Sequence, residues 1–231
     1  MLDAVIFDKD GTLFDFRLSW GAFTENLLAE VAEDTSQLRH LGQVLGYDPA
    51  SRQFTRTSPV ISMTTPEIAA ILHPHLRGMT LAQLNERMSV LSAQAPMVPA
   101  VPLRAVLTDL KARGLRLGLA TNDTEMPAKV HLAGAGVLDL FDYVVGCDSG
   151  FGGKPAPGQL IEFLRRFDLT PSRVAMVGDS RHDLDAGRAA GMHALAVLTG
   201  IATASELAPH ADAVLADIAG IGPWIDAQTA A

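Results

Sequence analysis

Short apolar runs rich in branched residues alternate along the chain with stretches where apolar positions recur every three or four residues. The runs fall at Ala4–Phe7, 115–120, Tyr143–Val145, 174–177, 194–198 and Ala213–Leu215. Each is four to eight residues or shorter and is bounded by turn formers, which predicts strands. Between them the helical spacing predicts helices near 100–113, 126–136, 156–167, 182–191 and 203–208. Pro127 sits near one predicted helix start, and Gly114 and Gly191 follow predicted helix ends, the positions that favour those residues. Strands alternating with helices in this way predict βα units, and hence a doubly wound parallel sheet in the α/β class.

The segment 17–97 breaks that alternation. It contains no convincing strand, but it does contain amphipathic helical stretches such as 20–33 and Leu81–Ala93. Turn chemistry separates them at Gly46-Tyr47-Asp48-Pro49, Ser58-Pro59, Thr65-Pro66 and Arg77-Gly78. Pro96, Pro99 and Pro102 mark the return to the sheet. The expected organisation is a Rossmann-like core of 1–16 and 98–231 interrupted by an α-helical insertion over 17–97.

Composition narrows the function. The chain has 231 residues, 48% of them hydrophobic and 19% charged, enough for a sizeable core, with little to bury only over 226–231. Its formal charge is −8, and its four lysines, Lys9, Lys111, Lys129 and Lys154, form no cluster, so nucleic acid is not the expected partner. Cys147 is the only cysteine, which rules out an intrachain disulfide. The chain opens directly on an apolar strand and has no run long enough to span a bilayer, so a cytoplasmic protein is expected.

Four short segments carry candidate chemistry, and each follows a predicted strand. Asp8-Lys9-Asp10-Gly11-Thr12 follows the first, putting two carboxylates two residues apart on an extended chain, with Gly11 able to take the bend beyond them. An ordinary Asp-Gly turn has the same composition. Gly178-Asp179-Ser180-Arg181-His182-Asp183 follows the run at 174–177 and adds two acids, which could equally cap the next helix. Thr121-Asn122 follows the run at 115–120, and Lys154 lies in Gly152-Gly153-Lys154-Pro155. Parallel sheets bind ligands at the carboxyl ends of their strands, so one edge would gather all four segments. Carboxylate oxygens with room for water and phosphate suit Mg²⁺.

In order and identity these segments resemble the motifs of the haloacid dehalogenase-like superfamily of phosphatases. The resemblance spans nearly the whole chain and is of the phosphoglycolate phosphatase-like type. It implies that Asp8 attacks phosphorus to form an aspartyl phosphate and that Asp10 serves as acid, then base. Thr121 and the backbone N–H of Asn122 would hold phosphate oxygens, and Lys154 would neutralise charge. Mg²⁺ would be held by Asp8, Asp10 through its carbonyl, Asp179 and Asp183. Lys9 stands where the family is often apolar, and strand alternation points it away from Asp8 and Asp10. The helical insertion resembles the family's cap. It holds no lysine, which disfavours the Schiff-base, phosphonate-cleaving branch.

The implied substrate is a small phosphorylated metabolite, such as phosphoglycolate, a sugar phosphate or a nucleotide. A phosphomutase and a non-catalytic binding protein on the same fold remain alternatives. A signalling receiver would need neither Asp10 nor the insertion. Arg52 and Arg56, beside the Gly46–Pro49 turn, are the candidates for reading an anionic leaving group, although a solvated surface pair also fits. His73-Pro74-His75 lacks a third ligand nearby, and Gly134-Ala135-Gly136 ends a helix and so is no dinucleotide fingerprint.

Overall fold

The six apolar runs become the six strands of one parallel sheet. The computed structural model describes residues 2–229. Strand β1 (Ala4–Phe7) is followed by α1 (Phe16–Val31), α2 (Thr35–Val44), the two-residue strands β2 (Tyr47–Asp48) and β3 (Gln53–Phe54), α3 (Thr65–Leu72) and α4 (Leu81–Ala93). The alternating part then runs α5 (Leu103–Ala112), β4 (Arg116–Ala120), α6 (Glu125–Gly134), β5 (Tyr143–Val145) and α7 (Gly158–Phe167). It continues as β6 (Val174–Gly178), α8 (Arg181–Ala189), β7 (His193–Val197), α9 (Ala204–Leu207), β8 (Ala213–Leu215) and α10 (Ile221–Thr229).

The spatial order is β5-β4-β1-β6-β7-β8. The chain winds outward from β1 through β4 to β5, then returns to the other side of β1 to lay down β6. The winding direction therefore reverses between β1 and β6, and a crevice opens there at the carboxyl ends of the strands. Both faces of the sheet are covered, which explains why its strands read as near-continuous apolar runs. Val5, Phe7, Leu117, Leu119 and Val177 pack with Leu107 and Leu110 of α5, Leu132 of α6 and Ile221 of α10. Ala4, Ile6, Val174 and Met176 pack on the other face with Leu160 and Phe163 of α7 and Ala186 of α8.

The helical insertion buries a separate apolar cluster, which includes Trp20, Phe23 and Leu27 of α1, Ile68 and Leu72 of α3, and Leu84 and Met88 of α4. Its two connections to the sheet hydrogen-bond to each other. Asp15 N–H donates to the Val98 carbonyl at 2.8 Å, Ala100 N–H donates to the Leu13 carbonyl at 2.9 Å, and Phe14 and Pro99 form an antiparallel bridge.

The structure differs from the sequence expectations in three places. The turn at 46–49 opens a small antiparallel hairpin, β2 with β3, where Tyr47 packs on Phe54 with ring centroids 4.8 Å apart. Helix α1 begins before the expected start at 20, because Asp15 caps it by accepting from Leu18 N–H at 2.9 Å. Helix α10 extends through Thr229, anchored by buried Ile221 and Ile225, so of the tail expected to be loose only 230–231 lie outside the described residues. Among the described residues no helix is long and apolar enough to cross a membrane.

Candidate active site

Asp8 follows β1 directly, and its N–H continues the ladder to the Val177 carbonyl of β6 at 2.9 Å. Asp179 follows β6, so the point where the winding reverses places two carboxylates side by side. Beyond Asp10 the chain bends at Gly11, which takes a left-handed φ of 84°. A Cβ there would collide with the Asp179 carboxylate, and so would one on Gly200 in the loop after β7. The Thr199 hydroxyl donates to the Gly11 carbonyl at 2.6 Å and ties the two loops together. The space that holds Asp179 is therefore made by two missing side chains.

Lys154 completes the arrangement. Its buried Nζ lies 2.6 Å from Asp8 Oδ1 and 2.6 Å from Asp183 Oδ1. Asp183 also takes part in helix capping, since its Oδ2 accepts from Ser180 N–H at 3.1 Å and from the Ser180 hydroxyl at 2.6 Å. The two sequence readings of this residue are thus not exclusive. Asp8, Asp179 and Asp183 each offer an oxygen within 4.8 Å of the others.

Such crowding has an electrostatic consequence. Burial, opposed by Lys154 and reinforced by Asp183 and Asp10, pushes the Asp8 carboxyl up to about 7. Burial and the Asp183 and Asp8 charges drive Asp179 well above the usual carboxylate range. Lys154 is held above its ordinary value because Asp183 and Asp8 outweigh its burial. Three buried carboxylates around a single ammonium leave an excess of negative charge, which a divalent cation would neutralise. The donor set is all oxygen, which suits Mg²⁺.

Thr121 and Asn122 lie at the rim of the same cavity. The Thr121 hydroxyl accepts from Asp123 N–H at 3.1 Å. The Asn122 side chain acts as a brace: its amide donates to the Ser62 carbonyl at 2.7 Å and to the Lys154 carbonyl at 2.9 Å, while its Oδ1 accepts from Lys154 N–H at 2.8 Å. Phe16, Trp20, Val60, Ile61, Met63 and Ile68 of the insertion form the opposite wall. The cavity is small, about 40 Å³ as swept by the centre of a water molecule, with room for a few waters.

Neither Arg52 nor Arg56 reaches this cavity. Arg52, at a left-handed φ of 57° in the β2–β3 hairpin, turns back to Glu25 at 2.7 Å. Arg56 spans the gap to the sheet side and holds both oxygens of Glu206 at 2.8 and 2.7 Å. His75 meets His40 at 3.0 Å, and His73 meets the Met79 carbonyl at 3.1 Å. Alternation expects Lys9 to point away from Asp8 and Asp10, but its long stem brings Nζ to Asp10 Oδ1 at 2.8 Å. Asp123 and His131, which also meet Lys9, were not candidates from the sequence. Their only sequence signal is that Asp123 directly follows Thr121-Asn122.

Residues 2–191 match the family model described as haloacid dehalogenase-like hydrolase. The chain belongs to the haloacid dehalogenase-like hydrolases. Membership in this family makes it an enzyme of the hydrolase class, in keeping with a phosphoric monoester hydrolase. A phosphoglycolate phosphatase of Nitrosospira multiformis is 30% identical over 196 residues, covering 85% of this chain and 83% of that protein. A phosphoglycolate phosphatase of Rhodospirillum rubrum is 36% identical over 121 residues, 52% of this chain, and there the chain spans only half the relative's length. The fold is that of a haloacid dehalogenase-like hydrolase from Bacteroides fragilis, with a TM-score of 0.69 at 22% identity, covering 96% of this chain and all of the other.

Proposed function

We propose that this chain is a Mg²⁺-dependent phosphatase that hydrolyses a small phosphomonoester through an aspartyl phosphate on Asp8. The observation that carries the reading is Asp8 itself. It ends the strand at which the winding reverses, with Lys154 at 2.6 Å and the carboxylates of Asp179 and Asp183 beside it. In this reading an Asp8 carboxylate oxygen attacks phosphorus and the ester oxygen leaves, which splits one difficult displacement into two. Asp10 donates the proton the leaving oxygen needs, then takes one from the water that hydrolyses the aspartyl phosphate. Lys154 and the Thr121 hydroxyl hold the non-bridging oxygens as charge builds on them. Mg²⁺, bound by Asp8, Asp179, Asp183 and the Asp10 carbonyl, would supply charge neutralisation between the incoming phosphoryl group and the carboxylates.

The helical insertion is proposed to act as a cap. The insertion walls the small cavity over the carboxylates; its outward movement would admit a substrate, and its return would expel solvent. The cap wall also bears on the leaving group. It is largely apolar and has no lysine or arginine, because Arg52 and Arg56 are engaged elsewhere. That favours an uncharged, alcohol-type leaving group, as in a sugar phosphate, over the carboxylate of phosphoglycolate, the substrate named for several relatives.

A panel of phosphate esters assayed with and without Mg²⁺ tests the reading. Hydrolysis should require Mg²⁺ and release inorganic phosphate. Asp8→Asn should abolish turnover and the acid-stable adduct trapped on the wild-type chain. Near-wild-type hydrolysis by Asp8→Asn overturns the covalent mechanism, and transfer of phosphate to a second hydroxyl of the sugar would mark a mutase instead.

A further inference from the structure

Lys9 is fully buried, and an ammonium group brings three N–H donors into a place out of reach of bulk solvent. Each donor has an acceptor. Nζ lies 2.8 Å from Asp10 Oδ1, 3.2 Å from Asp123 Oδ2 and 3.1 Å from His131 Nδ1. The Trp20 ring centroid, on α1, is 5.3 Å away. His131 Nε2 faces the Ser92 carbonyl at 2.8 Å. A carbonyl can only accept, so Nε2 carries the hydrogen, and Nδ1 is left with the lone pair that receives Lys9. Burial and the Lys9 charge hold His131 below its ordinary value, in agreement with that neutral form.

The network continues into the helical insertion. Asp123 Oδ2 accepts from the Ser92 hydroxyl of α4 at 2.9 Å, and Asp123 Oδ1 faces the Thr65 hydroxyl of α3 at 3.4 Å. Lys9 is thus the junction at which the Asp10 carboxylate meets groups from α1, α3, α4 and α6. A surface pair would contribute little, but a buried and fully satisfied ammonium holds its partners in a single geometry.

We propose that Lys9 is the positioning residue for Asp10: it fixes the Asp10 carboxylate in one orientation and, through Asp123 and His131, ties that orientation to the seating of α4. The inference rests on Asp10 being the acid and base of the reaction. It means that protonation of the leaving group is set by how the helical insertion sits, without any cap residue touching the reacting atoms.

The test compares an alkyl phosphate, whose alkoxide leaving group needs a proton, with p-nitrophenyl phosphate, whose leaving group does not. Removing Lys9 alone would strand the buried Asp123 charge, so the variant used is the charge-balanced pair Lys9→Met with Asp123→Asn, beside Asp10→Asn. Misplacing an acid by about an ångström can cost on the order of 10²-fold. The double variant should therefore lose about 10²-fold in kcat/KM, which reports the steps up to release of the leaving group and not the shared hydrolysis of the aspartyl phosphate, on the alkyl ester and only a few-fold on the aryl ester. Ser92→Ala should move the ratio in the same direction by less.

A double variant that folds, by circular dichroism and a single thermal transition, yet loses equally on both esters or on neither, overturns the proposal, provided Asp10→Asn shows the alkyl-selective loss. If Asp10→Asn itself shows no selectivity, the assignment of Asp10 is what fails. If the double variant does not fold, Ser92→Ala and Lys9→Arg on the wild-type background decide by the same ratio.

Discussion

Replacing Lys154 with methionine keeps the length of the side chain and removes its charge from between two carboxylates. The structure supports a magnitude for the result. Nζ sits 2.6 Å from both Asp8 and Asp183, and the side chain is 2% exposed, so solvent cannot take its place. Breaking a buried ion pair from one side costs about 3–5 kcal/mol when the remaining charge is uncompensated. Here the remaining groups can partly escape by taking up a proton, since Asp8 already titrates at about 7 with Lys154 present. The lower figure, about 3 kcal/mol, is therefore expected near neutral pH. For a chain of this size that corresponds to a fall of roughly 6–12 °C in Tm.

The loss should be largest in chelator and smaller in Mg²⁺, which offsets the same excess charge. Catalysis should suffer separately, with kcat down by about 10²–10³ if the ammonium stabilises charge that develops on the phosphoryl group. Thermal unfolding with and without Mg²⁺, together with initial rates at saturating substrate, measures both effects. A variant that melts with wild type in chelator and keeps kcat within a few-fold would refute the reasoning. A change confined to KM would make Lys154 a uniform binder rather than a stabiliser of the transition state.

Three further outcomes are expected. Because burial lifts Asp8 to about 7, Mg²⁺ must displace a proton below that pH, so its affinity should fall roughly tenfold per unit below pH 7. The raised value has the opposite effect on the metal-free fold: the contribution of Asp8 to stability in chelator is fully present below the usual carboxylate range and is lost as pH rises through 7. Calorimetric Mg²⁺ titrations and melts at pH 5.5 and 8 check both, and equal affinities would contradict the first. Gly200→Ala drives a methyl group into the Asp179 carboxylate and should weaken Mg²⁺ binding by about 10–100-fold in a chain that still folds; unchanged affinity would mean Asp179 does not serve the metal. Arg56→Ala removes an exposed pair with Glu206 and should barely move Tm or kcat/KM for any ester; a loss selective for anionic leaving groups would restore this arginine as a specificity residue.

Much of this architecture is legible in the sequence because its determinants are local. Three of the six sheet strands have the expected bounds, two shift by one residue at one end and β7 by one residue at both, since two-sided burial writes each strand as an unbroken apolar run. Asp8, Asp179, Asp183 and Lys154 were placed at one edge by topology alone, and they do meet there. What escaped depends on contacts far apart in the chain. The partners of Lys9 include Asp123 and His131, more than a hundred residues away, and nothing in the spacing of Thr121-Asn122-Asp123 announces a buried ammonium. Arg52 and Arg56 were singled out on charge and proximity to a turn, but a two-residue hairpin too short to show alternation decides where they point. Helix α10 carries too few apolar positions to stand out before Ile221 and Ile225 find the sheet.

The paired connections at Asp15–Val98 and Leu13–Ala100 have a consequence for how this chain could have arisen and could be rebuilt. The sheet meets the insertion as a loop whose ends are already fastened together. Closing a longer loop costs little more than closing a short one, about 0.6 kcal/mol for each doubling of its length. The helices in between can therefore be exchanged for a set of different size at almost no cost to the sheet, provided the two-stranded clasp is kept. A shortened chain joining the clasp with a tight turn should retain the sheet and its carboxylates, and a foreign helical unit grafted onto the same clasp would meet them from the same side. The clasp is thus a natural point for grafting, where new substrate preferences can be tried on the same carboxylates, provided the graft restores the contacts that Trp20, Thr65 and Ser92 make with the Lys9 network.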